Sequence, residues 1–88
     1  MKKIDYIIKN SIGLHARPAA IFVKKANEFI SDIKILKDNK EANAKSIINV
    51  MSLGAVKGSE VSLQAKGDDE SEALEALTQL LDSFVDEY

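Results

Sequence analysis

Eighty-eight residues without a cysteine exclude disulfides, thiolate metal sites and cysteine nucleophiles together. The 45% of apolar residues is enough for one core, too much for a disordered chain, and compatible with a single domain over residues 1–88. The net charge of −2 hides a division: Asp68, Asp69, Glu70, Glu72, Glu75, Asp82, Asp86 and Glu87 lie in a last segment with no lysine or arginine, which leaves 12 basic and 14 − 8 = 6 acidic side chains before it.

Such a split speaks of partners rather than fold. A lone arginine and no interleaving of basic and aromatic residues count against nucleic acid, so an acidic protein surface or a small anion fits the basic part better. No apolar run approaches the ~20 residues of a bilayer span, and MKKIDYIIKNS is a poor signal peptide. The expectation is a cytoplasmic chain with no membrane insertion, and the missing cysteines suit a reducing compartment.

Ile4, Tyr6 and Ile8 alternate with polar neighbours and predict a first strand with one buried face. Asn10-Ser11-Ile12-Gly13 reads as a loop. From about Ala16, the apolar residues Ala19, Phe22, Val23, Ala26, Phe29 and Ile30 fall at helical spacing, with Lys24, Lys25 and Glu28 opposite. Ile33 and Ile35 begin a second strand after Ser31-Asp32. Asp38-Asn39 suits a two-residue turn, since both tolerate positive φ, and Lys40 to Ala44 returns as a third strand.

Ser46 before Ile47, Ile48, Val50, Met51 and Leu53, with Gly54 after them, gives the start and stop of a short helix. Val61, Leu63 and Ala65 alternate as a fourth strand. Asp69 with Glu72 predicts a capping box opening a last helix that buries Ala73, Leu74, Leu77, Leu80, Leu81 and Phe84. The order βαββαβα, with helices apolar along one stripe, predicts an α+β two-layer open-faced sandwich: a four-stranded antiparallel sheet with three helices on one face.

The stretch GLHARPAA, residues 13–20, holds the chain's lone histidine, arginine and proline. A histidine at a helix start sits beside backbone N–H groups without intrahelical acceptors, which attract anions. Pro18 in the first turn costs no intrahelical bond, although the residue before it prefers extended geometry, so the cap falls at His15 or Arg17. With one histidine, a zinc site of the usual kind is improbable and no metal is expected. A triad through Ser11, Ser46 or Ser52 lacks a nucleophile elbow and a nearby carboxylate. What remains is the imidazole as its own nucleophile, accepting a group such as phosphoryl with Arg17 beside it, against the plain reading of an exposed cap.

Residues 13–20 with Phe22-Val23-Lys24, and Lys45-Ser46-Ile47 with Val50-Met51-Ser52-Leu53-Gly54, resemble the histidine-containing phosphocarrier proteins, the HPr family. The likeness covers the whole chain. It implies a phosphocarrier, not an independent catalyst, in the bacterial phosphoenolpyruvate-dependent sugar phosphotransferase system, needing no cofactor. By this resemblance His15 takes phosphoryl on Nδ1 from enzyme I and passes it to the A domains of sugar-specific enzymes II. Arg17 and the backbone amides of Ala16 and Arg17 stabilise it. Relatives specialised for regulation alone lack the histidine.

Ser46 reads from the residues as an N-cap. The resemblance adds phosphorylation by an ATP-dependent HPr kinase/phosphorylase, the product acting as corepressor for a catabolite-control transcription factor. Ala20, Lys24, Lys45, Ile47, Ile48 and Met51 are the candidate docking residues, an apolar centre with a basic rim that Lys25 extends. Ile48 and Asn49 stand where many relatives carry methionine or phenylalanine and glycine or lysine, which implies a different partner preference, and Asn39 stands where glycine is frequent. A shuttle that shows one face to several partners is expected to be monomeric.

Overall fold

The computed structural model describes residues 1–86; Glu87 of the acidic segment lies outside the described residues. Strand β1 (Lys2–Ile7) leads to α1 (Ala16–Ala26), β2 (Asp32–Lys37), β3 (Lys40–Asn43), α2 (Ile47–Ser52), β4 (Glu60–Lys66) and α3 (Glu70–Ser83). A 3₁₀ turn, Phe84–Asp86, follows α3. The four strands pair antiparallel in the order β1-β4-β2-β3. Helix α1 packs on α2 and α3, while α3 lies on β1 and β4 and α2 on β3. The α+β open-faced sandwich expected from the element order is the fold.

Strand alternation sorts the sheet's two faces. Ile33 and Ile35 of β2, Ala42 of β3, and Val61, Leu63 and Ala65 of β4 are buried beneath the helices. Lys34, Ser62, Gln64 and Asn43 share the opposite, uncovered face, where Lys34 reaches Glu41 at 2.7 Å. From above, α1 buries Pro18, Ala19, Phe22 and Ala26, α2 buries Val50, and α3 buries Ala73, Leu74, Leu77 and Leu81. Phe22 and Phe84 are the largest fully buried side chains, each contributing about 1.5–3 kcal/mol by its removal from water.

Several expectations need correction. Ile4 faces the helices opposite Leu63 but remains 43% exposed, because β1 is an edge strand with one neighbour. Helix α1 stops at Ala26 rather than continuing through Ile30. Asn27 closes it, its Nδ2 donating to Val23 O at 2.9 Å and to Lys45 O at 3.2 Å. Phe29 then packs against the core from the turn, and Ile30 is 75% exposed. The β2–β3 turn uses positive φ at Asp38 (55°) but not at Asn39, so a glycine-like residue is not required at 39. Leu80 is only partly buried, and Phe84 is buried from the 3₁₀ turn rather than from α3.

The capping box expected from Asp69 and Glu72 does not form. Asp69 is the N-cap of α3 but makes no side-chain cap bond. Its carboxylate turns to the α1–β2 connection instead, accepting from Ile30 N at 2.9 Å, from Ser31 N at 3.0 Å and from the Ser31 hydroxyl. The Ser31 hydroxyl, with the two backbone N–H groups, holds the Asp69 carboxyl below the ordinary carboxylate range. Glu70 takes over the reach-back, its Oε1 accepting from Gly67 N at 3.1 Å. The end of α3 is tied to β1 in the same manner: Tyr6 donates to Asp82 Oδ1 at 2.7 Å, and Lys9 joins at 3.0 Å.

Candidate functional site

The segment before α1 is shaped by its neighbours rather than by its own propensity. Gly13 has φ +74°, and a Cβ there would lie 2.3 Å from Ala55 O. Only glycine allows that approach. Leu14 N donates to Ala55 O at 3.0 Å, and the Leu14 side chain is buried. The buried Asn10 amide donates to Gly13 O at 3.0 Å while Gly13 N donates to Asn10 O at 3.2 Å. One position past the Leu14 anchor, the chain has turned outward, and His15 is exposed.

His15 is the N-cap of α1, extended at φ −136° and ψ 153°, and its ring makes no cap bond. That settles the choice left open between His15 and Arg17. Among the described residues His15 has no hydrogen-bond or ion-pair partner, Ser11, Ser46 and Ser52 included. Arg17 is exposed two residues on, and no carboxylate stands in the first turn of α1. Ala16 takes φ +53°, a left-handed conformation that costs a residue with a Cβ of order 1 kcal/mol or more. The amides of Ala16 and Arg17 occupy the first two helical positions, where no intrahelical acceptor exists, and Pro18 has no N–H. An open imidazole, a guanidinium and two unpaired amides therefore gather at one helix start.

Ser46 caps α2 as expected, its Oγ accepting from Asn49 N at 3.3 Å and from Asn49 Nδ2 at 3.1 Å. Ile47 and Ile48 both face outward, 41% and 75% exposed, and Met51 is half-buried beside them. Ala20 and Lys24 are exposed on α1, which packs against α2. Lys25 pairs with Glu28 at 3.3 Å. Lys45 stands apart from this group: half-buried, it donates from Nζ to Phe29 O at 2.7 Å, so its ammonium is already engaged within the chain. Among the described residues no group of three or more histidine, cysteine or carboxylate side chains could hold a metal ion. No described helix is long and apolar enough to cross a membrane.

Sequence reasoning passed over Asn10, Asn27 and the contact of Gly13 with Ala55. Each joins residues distant in sequence or sits in a loop with no periodicity, so no local pattern carried it. Asn49 was visible only as a departure.

Fold and site define an open-faced α+β sandwich that presents, at a helix start, an imidazole with no partner among the described residues. The family model described as PTS HPr component phosphorylation site matches residues 2–83. Phosphocarrier protein HPr of Mycoplasma pneumoniae is 45% identical over 83 residues, covering 93% of this chain and 94% of that protein. HPr-like protein Crh of Bacillus subtilis is 53% identical over 84 residues, covering 96% of each. The crystal structure of an HPr from Thermoanaerobacter tengcongensis superposes with a TM-score of 0.95 at 53% identity, covering 100% of this chain and 99% of that one. An HPr of the same organism solved as a dimer gives 0.76 at 55% identity, covering 94% and 95%. The chain belongs to the HPr family, the phosphocarrier proteins of the phosphotransferase system.

Proposed function

We propose that His15 accepts a phosphoryl group on Nδ1 from enzyme I and gives it to the A domains of sugar-specific enzymes II. The observation that carries this reading is the exposed His15 ring, without a partner among the described residues, beside the acceptor-free amides of Ala16 and Arg17. The Nδ1 lone pair forms the N–P bond as the donor's bond to phosphorus breaks. The dianionic product then lies where two N–H groups and the Arg17 guanidinium donate to its oxygens. Because all three donors are exposed to water, stabilisation stays moderate and the group can be released.

Ala20, Lys24, Ile47, Ile48 and Met51 form the docking face on α1 and α2, an apolar centre with a basic edge that suits an acidic partner. Lys45 contributes by holding the α2 approach to the α1–β2 turn rather than as a free rim charge. The chain acts as a monomer that leaves this face open, in the cytoplasm, as one domain.

Ser46 adds a regulatory reading, favoured by its half-buried place within the same face and by the likeness to Crh. An HPr kinase/phosphorylase would phosphorylate it with ATP, placing negative charge where acidic partners dock and creating a corepressor for a catabolite-control transcription factor. The presence of His15 sets phosphotransfer as the principal role. Incubation with enzyme I and phosphoenolpyruvate tests it. The wild-type chain should gain an acid-labile phosphoryl group that His15→Ala does not, and equal labelling of the two would overturn the assignment.

A further inference from the structure

Both ends of the Asn49 side-chain amide are engaged. Its Oδ1 accepts from Asn43 N at 3.5 Å. A backbone N–H can only donate, so the NH₂ end is the one turned to Ser46. There Nδ2 donates to Ser46 Oγ at 3.1 Å, while Asn49's own backbone N–H donates to the same oxygen at 3.3 Å. A hydroxyl has two acceptor lone pairs and one proton, and Asn49 alone occupies both lone pairs. The backbone bond is the ordinary one of a serine N-cap. The second bond is no part of a cap and requires a donor side chain at position 49.

We propose that Asn49 is a positioning residue that slows phosphorylation of Ser46 by holding its hydroxyl as a double acceptor. The inference rests on the reading of Ser46 given above. In the reaction, an Oγ lone pair forms the bond to the γ-phosphorus of ATP. The bond from that phosphorus to the β–γ bridging oxygen breaks, and ADP leaves with its electron pair. The Ser46 proton passes to a carboxylate base on the kinase. Attack requires a lone pair, so the Nδ2 bond must be released first. The proton, pointing away from Asn49, stays available to the base, and the reaction is therefore slowed rather than blocked. One neutral hydrogen bond corresponds to a rate factor of roughly two- to tenfold.

The test measures ATP-dependent labelling by an HPr serine kinase in the full chain, its Ser46→Ala variant, and two variants without the donor, Asn49→Ala and Asn49→Leu. Both replacements are good helix formers, and leucine keeps the branched four-atom skeleton of the side chain without a donor. Thermal melts identify any variant that has lost its fold, in which case the other carries the comparison. Labelling that requires Ser46, with kcat raised two- to tenfold in both variants at unchanged KM for the protein, supports the inference. A merely structural role would not raise kcat. Labelling that requires Ser46 at equal or lower kcat, or a change confined to KM, overturns the slowing role and leaves the Ser46 reading intact. Absence of labelling, or labelling that persists in Ser46→Ala, overturns both.

Discussion

At the scale of single residues, the site is made by side chains that do opposite things one position apart. Leu14 goes into the core and His15 goes out, and Gly13 permits this by letting its backbone lie against Ala55. Gly13→Ala would put a Cβ 2.3 Å from Ala55 O at a φ of +74°, and it should destabilise the fold by upwards of about 1 kcal/mol. Urea unfolding reads this as a lowered midpoint; an unchanged midpoint would mean that the Gly13–Ala55 approach is not tight. The motif around His15 was legible in the sequence because three rare residue types crowd into it. The left-handed backbone of Ala16 was not, since alanine carries no preference for φ > 0. Nor was the internal bond of Lys45, which depends on a carbonyl sixteen residues away.

At the scale of elements, periodicity gave the helices and strands their type, and contacts distant in sequence decided their ends. The apolar spacing continues through Phe29 and Ile30, yet Asn27 ends α1 because its side chain bonds back to Val23 and across to Lys45. Asp69 shows the same in reverse: the local pattern Asp-x-x-Glu promised a capping box, and Ser31 claimed the carboxylate. This tie makes a pH prediction. The folded Asp69 carboxyl titrates below its unfolded value near 3.8, through the Ser31 hydroxyl first and then the Ile30 and Ser31 amides. Stability from it is therefore present above about pH 4 and lost as pH falls through the lower folded value. Asp69→Asn should reduce the loss of stability on acidification below about pH 4, measured by thermal melts at a series of pH values. An unchanged acid limb would show that the tie contributes nothing to folding.

At the scale of the whole molecule, charge and shape act together. The uncovered sheet face carries mostly polar side chains, and the helical face carries Arg17, Lys24 and the apolar group of Ile47, Ile48 and Met51, the side on which docking is proposed. The eight carboxylates of the last segment begin on the approach to α3, away from α2 in the chain, which leaves the basic excess to residues 1–66. Attraction between exposed charges is screened within about 10 Å at 0.1 M salt. Phosphoryl transfer from enzyme I should therefore show a KM that rises with sodium chloride between about 0.05 and 0.5 M, with kcat little changed. A salt-independent KM would place recognition in the apolar centre alone.

The central claim is that one open imidazole takes up a phosphoryl group and lets it go. It is tested most directly by charging the chain with enzyme I and phosphoenolpyruvate, removing the donor, and adding an enzyme II A domain while phosphorus NMR follows the signal. The account predicts one Nδ1-phosphohistidine resonance, absent from His15→Ala, that disappears when the acceptor is added. A phosphoryl group on another residue, or one on His15 that the acceptor cannot remove, would contradict it.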